Sequence, residues 1–133
     1  MNKLFYPAVF HIAEEGGFWV SFPDFPEALT QGESMEEAYA MAVGALGLCI
    51  NDLEEAKEAF PVPSLPTEVE VEDEAVLVVI EFDMEAYKRK HNSRAIKKTL
   101  TIPEWLNEEA MAAGVNFSQV LQEALLQKLS LKR

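Results

Sequence analysis

The chain has 133 residues, with 11 Lys and Arg against 23 Asp and Glu, a formal charge of −12. Apolar residues make up 49% and charged residues 26%, a globular balance that excludes a wholly disordered, collagenous or low-complexity chain. No apolar run reaches the 18 residues of a spanning helix, and the single Cys49 excludes an internal disulfide or a cysteine zinc site.

Charge is distributed unevenly. Residues 1–90 carry 5 basic and 19 acidic side chains, whereas residues 91–133 carry 6 and 4. An acidic body repels nucleic acid and favours basic partners. The C-terminal part is where a polyanion meets no strong repulsion. Residues 1–7 lack the long apolar stretch and small-residue cleavage site of a secretory leader, so a cytoplasmic protein is expected.

In chain order, residues 4–12 read as a strand and Glu14-Glu15-Gly16-Gly17 as a turn. Phe18-Trp19-Val20-Ser21-Phe22 reads as a second strand, aromatic and β-branched enough to complete an antiparallel hairpin. Pro23 and Pro26 lie too close together for a central strand, and residues 28–32 give a short third strand. Ser34-Met35-Glu36-Glu37 has the form of a capping box. The helix it opens is expected over residues 35–59, with Ala38, Ala42, Ala45, Leu46, Cys49, Leu53 and Ala56 on its buried face. Gly44 and Gly47 cost about 1 kcal/mol each in a helix interior, a cost that close packing of the helix on a sheet would offset. Cys49 on this face reads as a core residue, since no Lys, Arg or His stands nearby in sequence to activate it.

Residues 60–66 hold three prolines and end the helix, and residues 67–74 are acidic and solvated. The apolar run over residues 75–82 predicts a central strand covered on both faces. Residues 83–90 form a short helix, acidic first and basic last, which suits the helix dipole. The boundary falls at residues 91–96, where the charge balance changes. This divides the chain into an α+β domain over 1–90, a linker over 91–96 and a C-terminal domain over 97–133.

In the C-terminal part, Lys97-Lys98-Thr99-Leu100-Thr101-Ile102 alternates. Leu100 and Ile102 share one face; Lys97, Thr99 and Thr101 share the other. Pro103 is expected at the first position of a helix. Trp105, Leu106, Ala110 and Met111 form that helix's stripe, and Gly114 closes it. Asn116-Phe117-Ser118-Gln119 caps a second helix, whose stripe is Val120, Leu121, Ala124, Leu125 and Leu129. One strand and two helices bury too little surface alone. Pairing the strand with its copy in a second chain gives a two-stranded ribbon over four helices. Leu100, Ile102, Trp105, Leu121 and Leu125 then form the dimer interface. The outward Lys97, Thr99 and Thr101 suit a DNA major groove, with Asn116, Phe117 and Ser118 at a helix start suited to a phosphate. The plainer alternative is a dimerisation strand with solvated polar residues.

These segments taken together resemble the HicB family of antitoxins from bacterial toxin–antitoxin pairs. The resemblance is carried by Phe22-Pro23-Asp24-Phe25-Pro26, by Thr30-Gln31-Gly32-Glu33-Ser34-Met35-Glu36-Glu37-Ala38, by the strand 76–82 followed by Asp83 and Tyr87, and by Leu100-Thr101-Ile102-Pro103 through Ser118. Glu27-Ala28 departs from the family's usual Gly-Cys. The resemblance implies a truncated ribonuclease-H-like N-terminal domain without nuclease activity and a C-terminal ribbon-helix-helix domain. The first would bind and block HicA, a small basic mRNA-cleaving toxin; its contact residues on the acidic domain are not specified. The second would bind the operator of its own operon as a dimer or tetramer.

Asp24, Glu81, Asp83 and Glu85 are the carboxylates available for a two-metal site, but a converging set is not evident. His11 and His91 have no Ser or Cys motif beside them, so no nucleophilic triad is expected. No cofactor is expected, nor any membrane contact. Trp19 and Trp105 read as core anchors. Two alternatives stay open: a ribbon-helix-helix regulator whose N-terminal domain senses a ligand or binds a protein, and a scaffold protein with no DNA contact.

Overall fold

A computed structural model describes residues 3–131; the outer ends of the two expected domains, residues 1–2 and 132–133, lie outside them. The elements are β1 (Lys3–Ile12), β2 (Phe18–Phe22), β3 (Phe25–Gly32), α1 (Met35–Glu55), a 3-10 turn (Pro66–Glu68), β4 (Val76–Asp83), α2 (Met84–His91), α3 (Glu104–Ala112) and α4 (Phe117–Lys128). The fold is α+β, and the chain divides into two compact units between Arg94 and Ala95.

In the first unit the strands form an antiparallel sheet in the order β3-β2-β1-β4. One face of the sheet packs on α1. Tyr6, Ala8 and Phe10 of β1, Val20 and Phe22 of β2, and Ile80 and Phe82 of β4 join Ala38, Ala42, Leu46 and Ile50 of α1 in one buried cluster. Tyr6 meets Phe25 edge to face, with ring centroids 4.8 Å apart, a geometry worth about 1 kcal/mol beyond the area it buries. The Tyr6 hydroxyl donates to the Pro61 carbonyl at 2.6 Å. Burial, reinforced by the Asp24 charge, holds that hydroxyl's pKa above its ordinary value.

Several expectations are corrected. β4 is an edge strand and not a central one. Its apolar run feeds Ile80 and Phe82 into the core, while Val76 and Val79 stay exposed. The central position belongs to β1 in spite of Pro7. A proline is tolerated there because β2 pairs with β1 only from Val9 onward, leaving β4 as the one neighbour at Pro7. Pro23 and Asp24 form the tight turn of the second hairpin. β3 starts at Phe25, so Pro26 lies in an edge strand.

Helix α1 begins as expected, with the Ser34 hydroxyl accepting from the Glu37 amide at 3.1 Å. It stops at Glu55, short of residue 59. Lys57 turns left-handed at φ 57°. The amides of Lys57 and Glu58 then reach back to the carbonyls of Glu54 and Leu53, the Schellman closure usually made with glycine. The buried stripe runs through Ala38, Ala42, Leu46 and Ile50. Ile50 was absent from the expected face, and Ala56 is exposed. Cys49 lies half-buried, and burial followed by the Glu27 carboxylate pushes its thiol up to about 11, which makes it a poor nucleophile.

The two helix glycines have different roles. A Cβ on Gly47 would lie 2.2 Å from the Tyr87 ring, whereas one on Gly44 meets nothing within 4 Å. The close contact is with Tyr87 of α2 and not with the sheet. Gly44→Ala should therefore stabilise the protein by about 1 kcal/mol through helix propensity. Gly47→Ala should destabilise it by about 1 kcal/mol or more through overpacking. Thermal unfolding of the two variants should show shifts of opposite sign.

Candidate functional site

The second unit is notable for lacking a core: no residue between 95 and 131 is buried. Leu100, Ile102, Trp105, Met111, Val120, Leu125 and Leu129 are all exposed, Trp105 at 62%. The two helices are nevertheless well terminated. Pro103 is the N-cap of α3 and not its first residue. Gly114, at φ 72°, closes α3 as the Gly114 and Val115 amides bond the carbonyls of Met111 and Ala110. The Asn116 side chain caps α4 by accepting from the Gln119 amide at 3.1 Å, while the Gln119 side chain donates to Glu123 and does not turn back to the cap.

Residues 97–102 carry no strand in the single chain, since a strand needs a hydrogen-bonding neighbour. Their alternation is nevertheless expressed in the surface. Lys98, Leu100 and Ile102 line a groove of about 490 Å³ together with Phe117, Ser118 and Leu121, whereas Lys97, Thr99 and Thr101 do not line it and are exposed. Phe117 and Ser118, expected at a phosphate, thus stand beside the apolar members of the segment. Leu121 is half-buried and Leu125 is exposed.

In the first unit the exposed face of the sheet carries an arrangement that sequence reasoning missed. His11 stacks on Trp19, with ring centroids 3.6 Å apart and planes within 11°. Its Nε2 lies 2.9 Å from the Ser21 hydroxyl, and its Nδ1 contacts the Glu72 carboxylate. Trp19 is therefore a surface residue, not a core anchor, and Trp105 is likewise unburied in the single chain. His11 does have a serine partner after all. A Ser–His–carboxylate series is the layout of acyl-transfer triads. Here, however, the adjacent cleft is lined by Glu68 and Glu70, whose charges oppose a developing oxyanion.

What the series does is tie down the acidic segment between α1 and β4. That segment is held at three points. Pro61 accepts from Tyr6, the Ser64 amide and hydroxyl donate to Asp24 at 3.0 and 2.6 Å, and Glu72 meets His11. Of the carboxylates considered for metal binding, Asp24 is thus bound to Ser64. Glu81 pairs with Lys3 at 3.0 Å, Asp83 caps α2 through the Ala86 amide, and Glu85 pairs with Arg89. Among the described residues no group of three or more His, Cys, Asp or Glu converges as a metal site. His91 stacks at a tilt on Tyr87. No helix among the described residues is long and apolar enough to cross a membrane.

The fold and these surfaces define a class: a self-contained α+β unit joined to a helical unit that lacks a core of its own. A family described as "HicB_like antitoxin of bacterial toxin-antitoxin system" matches residues 6–125. Over 63 residues the chain is 50% identical to Antitoxin HicB 1 of Photorhabdus laumondii, covering 47% of this chain and 41% of that protein. Over 59 residues it is 48% identical to Antitoxin HicB of Escherichia coli K12, covering 44% and 43%. The match thus spans less than half the length of these curated relatives. A chain of the "Toxin-Antitoxin complex from Streptococcus pneumoniae" superposes with a TM-score of 0.61 at 31% identity, covering 95% of this chain and 99% of that one. The Burkholderia pseudomallei antitoxin HicB shares the fold, with a TM-score of 0.55 at 19% identity over 95% and 98% of the two chains. The chain belongs to the HicB-like antitoxin family.

The tie between His11 and the acidic segment can be tested directly. His11→Ala should cost about 1 kcal/mol and speed proteolysis within residues 66–74. A cleavage pattern unchanged from wild type would show that the segment is held without the imidazole.

Proposed function

We propose that this chain is the antitoxin of a type II toxin–antitoxin pair. The acidic domain, residues 1–90, binds and inhibits a HicA-type mRNA-cleaving toxin by covering its RNA site. The C-terminal domain, residues 97–133, is a ribbon-helix-helix that pairs with its copy in a second chain and binds operator DNA, repressing the operon. The chain itself is a non-catalytic regulator acting in the cytoplasm, without a cofactor.

The observation that carries the reading is the missing core of the second unit. A segment with capped helices and exposed Leu100, Ile102, Trp105 and Leu125 is best completed by an identical segment. Ribbon pairing supplies the absent strand neighbour and covers the groove at Leu100 and Ile102. It leaves Lys97, Thr99 and Thr101 of both chains as a strip that can read base edges. The family membership and the net of fourteen negative charges on residues 1–90 support a basic, RNA-binding partner for the first domain.

Co-expression with the product of the reading frame adjacent to this chain's gene tests the first half. A stable complex, with growth arrest when the neighbour is expressed alone, is the expected result; neither complex nor toxicity would reject it. For the second half, Lys97→Ala and Thr99→Ala should abolish operator retention on a gel while leaving the oligomer intact. Where residual binding by Lys97→Ala can be measured, its salt slope should fall by about 1 per copy. Undiminished retention would remove the ribbon from the DNA interface.

A further inference from the structure

The ladder between β1 and β4 has a phase that two independent observations fix. The Glu81 amide donates to the Tyr39 hydroxyl on α1 at 3.2 Å, so its N–H points away from β1. Two residues earlier, Val79 stands opposite Pro7, which has no N–H to offer. Along an antiparallel strand the backbone groups alternate between the two sides. Glu81, Val79 and Leu77 therefore all direct N–H and C=O to the outer side of β4, where the sheet ends. Tyr39 occupies the position at Glu81. At Leu77 and Val79 the edge carries apolar side chains and unpaired backbone groups, with Val76 and Val79 exposed at 47% and 44%.

An edge of this kind is a template for strand addition. We infer that the edge of β4 at Leu77–Val79 receives an extended, basic strand from the protein partner of this chain. The inference rests on the antitoxin reading and specifies how the partner is held. Charge selects the occupant. Asp73 and Glu74 precede the open stretch, and Glu81, Asp83 and Glu85 follow it. A two-fold pairing of β4 with its own copy would bring together two acidic units, each carrying a net of fourteen negative charges over residues 1–90, and that repulsion opposes it. A strand with an apolar centre and basic residues at its ends meets the opposite sign at both ends. Lys3 pairs with Glu81 at 3.0 Å and Arg89 with Glu85 at 2.7 Å; these pairs leave out Asp73, Glu74 and Asp83 and do not offset the excess of negative charge on the unit.

The test uses the full chain co-expressed with the product of the adjacent reading frame. In the complex, amide exchange at Leu77 and Val79 should slow by about a hundredfold relative to the free chain. Val79→Pro removes an outward N–H that makes no bond to β1, so the variant should keep its fold and weaken the complex about tenfold. Should Val79→Pro not fold, the exchange measurement decides alone. A complex that forms with Leu77 and Val79 unprotected overturns the edge assignment and leaves the antitoxin reading standing. Protection that instead grows with concentration in the chain alone assigns the edge to a second copy and also overturns it. Failure of the wild-type chain to bind its neighbour rejects the antitoxin reading and this inference with it.

Discussion

The first unit depends on one packed seam: the Tyr6, Ala8 and Phe10 face of β1 with its strand neighbours, closed by the Ala38, Ala42, Leu46 and Ile50 stripe of α1. Small residues in the first half of the helix stripe allow the chain to pack tightly against the sheet there. Larger ones, Leu46 and Ile50, fill the space toward β4. Each large side chain fully buried in this seam contributes about 1.5–3 kcal/mol, and all other features of the unit are fitted around it. Pro7 is accepted because its neighbour on one side is absent. Gly47 is required because Tyr87 occupies the space where its Cβ would be. The long acidic segment is anchored to residues whose neighbours lie in the same sheet, namely Tyr6 and His11 on β1 and Asp24 in the β2–β3 turn.

The second unit follows the opposite principle. The junction between its helices is locally specified, with a Schellman closure at Gly114 and an Asn116 cap. Its apolar stripes, however, leave Trp105, Met111, Val120, Leu125 and Leu129 exposed. Capping contributes about 1 kcal/mol per end, far less than burial of five or six large apolar side chains would add. Local signals therefore define the helix boundaries of the unit. In the proposed ribbon pairing the missing burial would come from association, which would couple its stability to dimerisation.

Much of this was legible in the sequence because it is local. The Gly16-Gly17 turn sets the first hairpin, and a register running outward from it puts His11 opposite Trp19 and Val9 opposite Ser21. The pairing of His11 with Ser21 could have been drawn from that register. Its third member could not: Glu72 is 61 residues away, and no periodicity encodes where a proline-rich connection crosses a sheet. The helix caps at Ser34 and Asn116 and the alternation at residues 97–102 were likewise readable. The position of β4 was misread because a continuous apolar run gives no indication of how many neighbours a strand has. The run describes burial of side chains, whereas edge or centre is decided by topology. The end of α1 was misread for a related reason. Lys57 adopts a conformation normally marked by glycine, so the stop carries no sequence signal.

The two units differ in what each lacks, and that difference bears on what each binds. The second unit leaves its large apolar side chains exposed, a deficit that in the proposed pairing an identical copy would fill, since its net charge is small. The first unit already has its core, and its surface carries a net of fourteen negative charges over residues 1–90. A second copy would add repulsion without filling any cavity. At physiological salt that repulsion decays over about 8 Å, so it acts against direct contact between acidic units while permitting symmetric pairing elsewhere in the chain. In the proposed reading, self-association is thereby confined to the second unit, and the acidic unit is left to a partner of opposite charge. A chain in which apolar incompleteness and charge excess are placed on different units can make two kinds of association at once, because each rests on an interaction that the other surface does not offer.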